Sequence, residues 1–489
     1  MINNLRKRKN EVNKTNKDRL NNLFKKINYK TNGITLIALV ITIIVLLILA
    51  GVSIATLTGD NGILTQANKA KTETEKAGAQ EKVELEVTGS YGKTGDIDLN
   101  LLNNNLKNNV KGLTYKGAAI SETNKITSLP AIVEVDGYKI QITGEGNVGT
   151  IKTVADVSDY VTKDTTVTDD YGNSLIVPED FKIRIDDTTN NADTVNEGIV
   201  VEDRNGNQFV WVPVGDVKTD SEGTTVNIEL KRYVFNSDGT INEELTKSNP
   251  EDQLKTSSSN TYYYTEALKD DATTSNAHAK DIVTFVNNSN SNHGYYIGRY
   301  EAGVVNGALD TSEMIDSYTA PNSNWTGYKA EEGKEIELVC KTGQQVWNYV
   351  TQNKASELAR NMYTGKKYES DLINSYAWDT AILFIQKCGT KTNHATYSRE
   401  IGLSTDTSKP ALTGTGKLSS TNAVDEQCNI YDMAGNYWEW TTETCSDSSY
   451  PCVKRGGGYS NSNIYTSSRD SIRTTSANDS HSFRPLLYW

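Results

Sequence analysis

Residues Asn429 to Thr441 read NIYDMAGNYWEWT, with two carboxylates, Asp432 and Glu439, set about a Gly-Asn turn and Trp438 and Trp440 flanking the glutamate. Carboxylates at this spacing support three different kinds of chemistry. They supply hard oxygens to a cation, they act as an acid–base pair, or they cap tight turns inside an aromatic core. The other residues able to do chemistry are sparse. The five cysteines, Cys340, Cys388, Cys428, Cys445 and Cys452, contain no C-x-x-C pair, and the odd count leaves at least one unpaired. In an exported domain Cys445 with Cys452 is the shortest loop to close, but the spacing leaves the pairing open. The four histidines, His278, His293, His394 and His481, are dispersed and form no i, i+4 ligand pair. No G-x-S-x-G, H-E-x-x-H or P-loop is present.

A second chemically dense stretch follows, YSNSNIYTSSRDSIRTTSANDSHS (459–482), rich in Tyr, Asn, Ser and Arg. Tyrosine gives contact area at low entropic cost, and Ser and Asn give adaptable hydrogen bonds. Tyr459, Asn461, Asn463, Tyr465 and Arg469 are the candidate ligand contacts. The competing reading is a long polar loop on a polar protein. The net charge of −12 argues against a nucleic-acid partner, because the basic residues cluster only at the N-terminus.

These segments need elements to hold them. QFVWVPV (208–214), a Tyr-rich piece near Tyr262 and GYYIGRYEAGVV (294–305) read as strands. GQQVWNYVTQNKASELARNMY (343–363) and YAWDTAILFIQKC (376–388) read as helices with one apolar face. Further upstream, AIVEV and YKIQI alternate around Asp136-Gly137, a hairpin signal, in a small α/β stretch over residues 87–150. A Thr/Val/Asp-rich connector spans 151–169, and the large C-terminal domain spans 170–489.

At the N-terminus a basic leader, residues 1–33, precedes Ile34–Leu57, which carries no charge. As a helix this run is about 36 Å long, enough to cross a bilayer. The positive-inside rule puts the leader in the cytoplasm and the rest outside. The order NG-ITLIALV resembles the processing signal of type IV prepilins and pseudopilins. That resemblance implies cleavage by a prepilin peptidase between Gly33 and Ile34, methylation of the new terminus, a retained helix and stalk over 34–86, and pilin subunits as partners. The leader is long for that family, and Ala38 stands where its glutamate is usual. A plain single-pass anchor is the alternative.

The order FVWVPV, YYIGRYEAG, AWD, IYDMAGNYWEW, RGGGY and SFRPLLYW resembles the formylglycine-generating, sulfatase-modifying family, a variant of the C-type-lectin fold. The resemblance implies a calcium ion held by Asp432, the carbonyls of Gly435 and Tyr437, and Glu439, with the tryptophans as core. The family's oxidases carry two cysteines after the RGGS-like turn, and this chain has Asn461 and Thr466 there.

The expected fold is therefore α+β: a long N-terminal transmembrane helix with a small pilin-like α/β head, then a loop-rich C-type-lectin-like domain. The expected function is a membrane-anchored, surface-displayed binding protein, extracytoplasmic beyond the anchor, as a minor or tip pilin or a free-standing adhesin. Three alternatives stay open: an oxidoreductase using Cys428 or Cys445, a structural pilus spacer, and a variable binding protein of a diversity-generating retroelement.

Overall fold

The computed structural model describes residues 13–22, 63–92, 95–116, 120–121, 123–129, 131–144, 146–184, 193–220, 222–266, 279–397, 412–415, 426–459 and 464–489. The chain divides into two compact units, Met1–Thr150 and Ile151–Trp489.

In the first unit, helix α1 (Ile63–Thr88) and helix α2 (Leu99–Asn109) accompany a four-stranded antiparallel sheet. Its strands are β1 (Leu113–Lys116), β2 (Ala131–Val135), β3 (Tyr138–Ile142) and β4 (Val148–Thr150), paired in that order. Ala79, Val83 and Val87 recur every fourth residue on α1, so they share one face. They join a core with Leu102 and Leu106 of α2 and with Val133, Val135, Ile140 and Ile142 of the sheet. Asp98 caps α2 by accepting from the backbone N–H groups of Asn100 and Leu101. Asp136 and Gly137 both take positive φ, 54° and 87°, as a two-residue hairpin loop of this hand requires.

The second unit has two larger sheets. Along the first run β5 (Phe181–Ile183), β6 (Val200–Asp203), β7 (Gln208–Pro213) and then, antiparallel to β7, the strand Gly294–Gly298. The second sheet includes β8 (Tyr264–Thr265), so Gly294–Gly298 is numbered β9. The first sheet is completed by β10 (Glu369–Leu372) and by the C-terminal strand Pro485–Tyr488, which lies between β9 and β10. In the second sheet, β8 pairs with β11 (Trp438–Cys445), which pairs with β12 (Cys452–Arg455), and β12 pairs with β13 (Arg469–Ile472). β14 (His481–Phe483) lies parallel to β11. The C-terminal strand is thus β15. The chain leaves one sheet at Phe483 and enters the other at Pro485, which puts Arg484 at the crossing.

Helices α3 (Ile282–Ser291), α4 (Gln352–Arg360) and α5 (Ser375–Cys388) pack around these sheets. β7 and β9 are buried at every position, and so is α5 from Ser375 to Ile385. A single apolar face was expected for that helix, but it runs through the interior. The connector 151–169 is folded: Val154, Val157 and Val167 belong to the core of this unit.

The helix expected over 343–363 is shorter. Val346 pairs as a strand with Gly303, Tyr349 takes φ 53°, and regular helix runs only from Gln352 to Arg360. Trp347 donates from its indole nitrogen to the Thr326 carbonyl at 2.9 Å and sits in the core, which fixes the preceding residues out of helix.

Two expectations are corrected. Among the described residues no helix is long and apolar enough to cross a membrane, so neither the long N-terminal transmembrane helix nor single-pass membrane anchoring is supported. The run read as that helix, 34–57, lies outside the described residues, as do Gly33 and Ile34.

Candidate functional site

The Asn429–Thr441 stretch is a series of tight turns leading into β11. Asn429, Asp432, Gly435 and Asn436 all have positive φ, at 61°, 56°, 110° and 53°. The turns bring backbone and side chains around a buried carboxylate on another segment. Asn436 Nδ2 donates to Glu301 Oε2 at 2.7 Å, and the Tyr437 backbone N–H donates to Glu301 Oε1 at 3.1 Å. Burial holds the Glu301 carboxyl well above the usual carboxylate range, and the nearby charges of Asp432 and Glu439 push it the same way. Asp432 Oδ2 accepts from the Gly414 N–H at 3.0 Å.

Glu439 is fully buried and faces Arg484. The guanidinium donates from Nε to Oε2 at 3.0 Å and from Nη2 to Oε1 at 2.6 Å, a bidentate pair. Its remaining donors go to the carbonyls of Gly298, 2.9 Å, and Tyr431, 2.8 Å. One arginine at the sheet crossing therefore ties β11, β9 and the turn before β11 together.

The calcium expectation at Asp432, Gly435, Tyr437 and Glu439 does not fit this geometry. A calcium ligand must turn an oxygen toward the ion, and both Glu439 oxygens are taken by a cationic side chain. Among the described residues no group of three or more His, Cys, Asp or Glu is disposed to hold a metal ion. The tryptophans do act as core: Trp440 is fully buried and donates to the Val350 carbonyl at 2.9 Å.

A second buried ion cluster brackets the Tyr/Ser/Asn-rich segment. Arg455, at the end of β12, donates from Nη2 to Asp379 Oδ1 at 2.5 Å, and Arg469, at the start of β13, pairs with Asp379 Oδ2 and with both oxygens of Glu443. Arg455 and Arg469 are directly opposed in the β12–β13 register. The Arg469 side chain is only 2% exposed, so its assignment as a ligand contact is corrected: it is spent on two buried carboxylates. Glu266 lies beside this cluster, accepting from the Ser375 N–H at 2.7 Å and from the Thr442 hydroxyl at 2.8 Å. Burial and the charge of Glu443 push its carboxyl up to about 7.

Of the other candidate contacts, Tyr465 is exposed and Tyr459 is half-buried. Asn461 and Asn463 lie outside the described residues. Thr466, at one of the two oxidase cysteine positions, is buried, donates to the Tyr397 carbonyl at 3.0 Å, and receives the Trp378 indole N–H at its own carbonyl.

All five cysteines are free thiols. Cys452 is opposite Thr444 in the register, so Cys445, one residue on, points to the other face. Accordingly Cys452 packs with Trp440 and Phe483, whereas Cys445 packs with Val453 and Leu254. The shortest disulfide is therefore blocked by the strand pleat. Burial pushes the Cys340 thiol up to about 11 and Cys428 higher still, the opposite of an activated thiolate.

Sequence reasoning missed three residues that gather with Tyr459 about the 477–479 backbone: Asp479, Tyr318 and Tyr349. The Tyr459 hydroxyl donates to Asp479 Oδ2 at 3.0 Å. The Tyr318 carbonyl accepts from the Ala477 N–H, and the Tyr349 N–H donates to the Asn478 carbonyl. Tyr318, Tyr349 and Tyr459 are thus each fixed to one of three successive residues, 477, 478 and 479. Asp479 lies inside the stretch already singled out, whereas Tyr349 falls in the segment read as an apolar helix face and Tyr318 in a distant loop that carried no signal.

A family model described as sulfatase-modifying factor enzyme 1-like domain (FGE-sulfatase) matches residues 317–486. Among curated proteins none matches. Similar solved structures include CarF, at 14% identity over 40% of this chain and 86% of that one, TM-score 0.24. Variable protein 1 of Treponema denticola also aligns at 14% identity, over 40% of this chain and 96% of that one, TM-score 0.22. The major tropism determinant, M1 variant, aligns at 11% identity over 77% and 82%, TM-score 0.25. The family match does not reach the segment read as prepilin-like, and nothing found supports a pilin role. The C-terminal part of the chain carries a domain similar to the sulfatase-modifying, C-type-lectin-like family.

Proposed function

We propose that the C-terminal unit is a non-catalytic binding module, and that its ligand face is built from the segment between RGGG and FRP together with the loops bearing Tyr318 and Tyr349. The observation that carries this reading is the division of labour along 455–484. Arg455 and Arg484, which bound the segment, and Arg469 within it are each paired with buried carboxylates. Between them Tyr459 and Tyr465 keep exposed surface. Side chains in such a segment change without disturbing the pairs that hold the fold. This favours the variable-binding-protein alternative over the family's redox chemistry, because burial raises the thiols of Cys340, Cys388, Cys428 and Cys452 away from thiolate.

The test is to sequence the 3′ end of the gene in sister isolates. Substitutions confined to about residues 459–482 that spare Arg469 support the proposal. Differences spread evenly along the gene would remove it.

A further inference from the structure

We propose that Tyr318, Tyr349, Tyr459 and Asp479 form a recognition site for an alkylammonium cation. The inference rests on the binding face just described and names its ligand chemistry.

Three loops converge here by backbone geometry. Residues 316–320 run beside 475–477: Ala320 N–H donates to the Thr475 carbonyl at 2.8 Å, and Ala477 N–H to the Tyr318 carbonyl at 3.1 Å. Tyr349 N–H donates to the Asn478 carbonyl at 2.8 Å, and Asn348 Nδ2 to the Asp479 carbonyl at 3.1 Å. Tyr459 completes the group through its hydroxyl bond to the Asp479 carboxylate. The peptide unit of Asp479 is held from one side and its side chain from another, so the carboxylate has a fixed place.

Among the described residues Asp479 has no ion-pair partner. Its charge is felt by the surrounding phenols: burial, then the Asp479 hydrogen bond and charge, push Tyr459 up to about 12, and burial followed by Asp479 raises Tyr349. The Tyr349 and Tyr459 phenols thus lie in the field of a carboxylate that no described cation pairs, while Arg473 on the same loops faces Asp316 and the Tyr450 ring. Tyr318 is 64% exposed, so its ring is open to a ligand. Tyr349 is held at φ 53°, a left-handed conformation that a bulky non-glycine residue rarely adopts, and Gly327 has no side chain where a Cβ would lie 2.7 Å from the Tyr349 Cβ. Strain of this kind concentrates where a side chain must be aimed.

An ammonium group suits such a site on two counts. Aromatic faces attract cations through the ring quadrupole, and a carboxylate at the base adds direct charge attraction. A neutral ligand of the same shape gains neither. A carboxylate or phosphate ligand is repelled by Asp479.

The experiment is titration calorimetry on the full-length chain with tetramethylammonium chloride and n-butylammonium chloride. Their neutral counterparts, tert-butanol and n-butanol, are run in parallel, with sodium chloride as the salt control. The first cation stands for a choline-type headgroup and the second for a lysine amine, so the arms separate the two sources. Saturable binding of either cation, absent for its alcohol and weakened about tenfold in Asp479→Asn and in Tyr318→Ala, is the expected result. Both variants keep the fold in reach, since asparagine still accepts from Tyr459 and Tyr318 is exposed. Equal binding of cation and alcohol, no saturable binding of either cation, or variants that bind like the parent chain would each overturn the proposal. The two readings fail separately: even drift among isolates removes the binding face, whereas variation at 459–482 without ammonium binding removes only the ligand class.

Discussion

Replacing Glu266 with glutamine is expected to stabilise the C-terminal unit above neutral pH and to leave it unchanged in mild acid. Glu266 is 3% exposed and stands next to a cluster in which Arg455 and Arg469 are already balanced by Asp379 and Glu443. A fifth charge there is surplus. Burial, reinforced by Glu443, therefore raises its carboxyl from an ordinary 4.5 to about 7. The folded state holds the proton between those values while the unfolded chain releases it, so stability falls as pH rises through this window and levels off above it. At roughly 1.4 kcal/mol per unit, the ceiling on the loss is about 3 kcal/mol. Glutamine keeps its carbonyl oxygen for the Ser375 N–H, turns its amide N–H toward the Thr442 hydroxyl, which then accepts, and never ionises. The difference between variant and parent should grow from nothing near pH 4.5 to between about 1 and 3 kcal/mol at pH 8. Urea denaturation followed by tryptophan fluorescence measures it cleanly, because all seven tryptophans lie beyond residue 210 and report only this unit. A variant less stable than the parent at pH 8 would refute the reasoning, since it would mean that the ionised carboxylate is needed by the arginines.

Arg484→Ala should cost about 3–5 kcal/mol by leaving Glu439 buried without its partner, and a loss under about 1 kcal/mol in the same denaturation assay would show that the pair is not closed. Gly198→Ala places a Cβ 2.1 Å from the Cys428 carbonyl oxygen at a φ of 87°, so a destabilisation of about 2–4 kcal/mol is expected, and a neutral result would mean that the 426–431 turn does not dock there. His481 is buried against Trp440, and burial with the Lys454 charge holds it well below its ordinary value. Its contribution is present above about pH 6.5 and lost as pH falls, so His481→Gln should flatten the acid limb of the stability curve. A calcium chelator should leave the denaturation midpoint of the parent unchanged, and a drop would return Asp432 to the role of a ligand.

What the sequence makes legible is local. The Asp136-Gly137 hairpin, the strands at Gln208–Pro213 and Gly294–Gly298, and the helix ending at Cys388 follow from pattern and turn chemistry within a few residues. The aromatic weight of the WEW motif is correctly core, because tryptophan in an alternating strand next to Val350 and Phe483 has nowhere else to go. The roles of the charged residues are not legible. Glu439 looks like a metal ligand until Arg484 is seen, and Arg469 looks like a surface contact until Asp379 and Glu443 are seen. Arg484 is 45 residues from Glu439, and Asp379 and Glu443 are 90 and 26 residues from Arg469, so only the tertiary fold brings them together. Register decides the Cys445–Cys452 question, since a one-residue offset reverses a side chain's face. The binding face shares this property, with Tyr318 and Tyr349 joining Tyr459 through backbone bonds that no composition reveals.

The opposed arginines at 455 and 469 have a practical consequence. Because they grip the same two carboxylates, the mouth of the 456–468 segment has a width set by the frame beneath it and not by what lies between. A foreign stretch of similar length spliced in at these positions would meet ready-made ends, with closure entropy that rises only slowly with added residues. The unit is in this sense a holder for interchangeable inserts. Libraries randomised inside 459–465, with Arg455, Thr466 and Arg469 kept, are the natural starting point for engineering new specificities onto it.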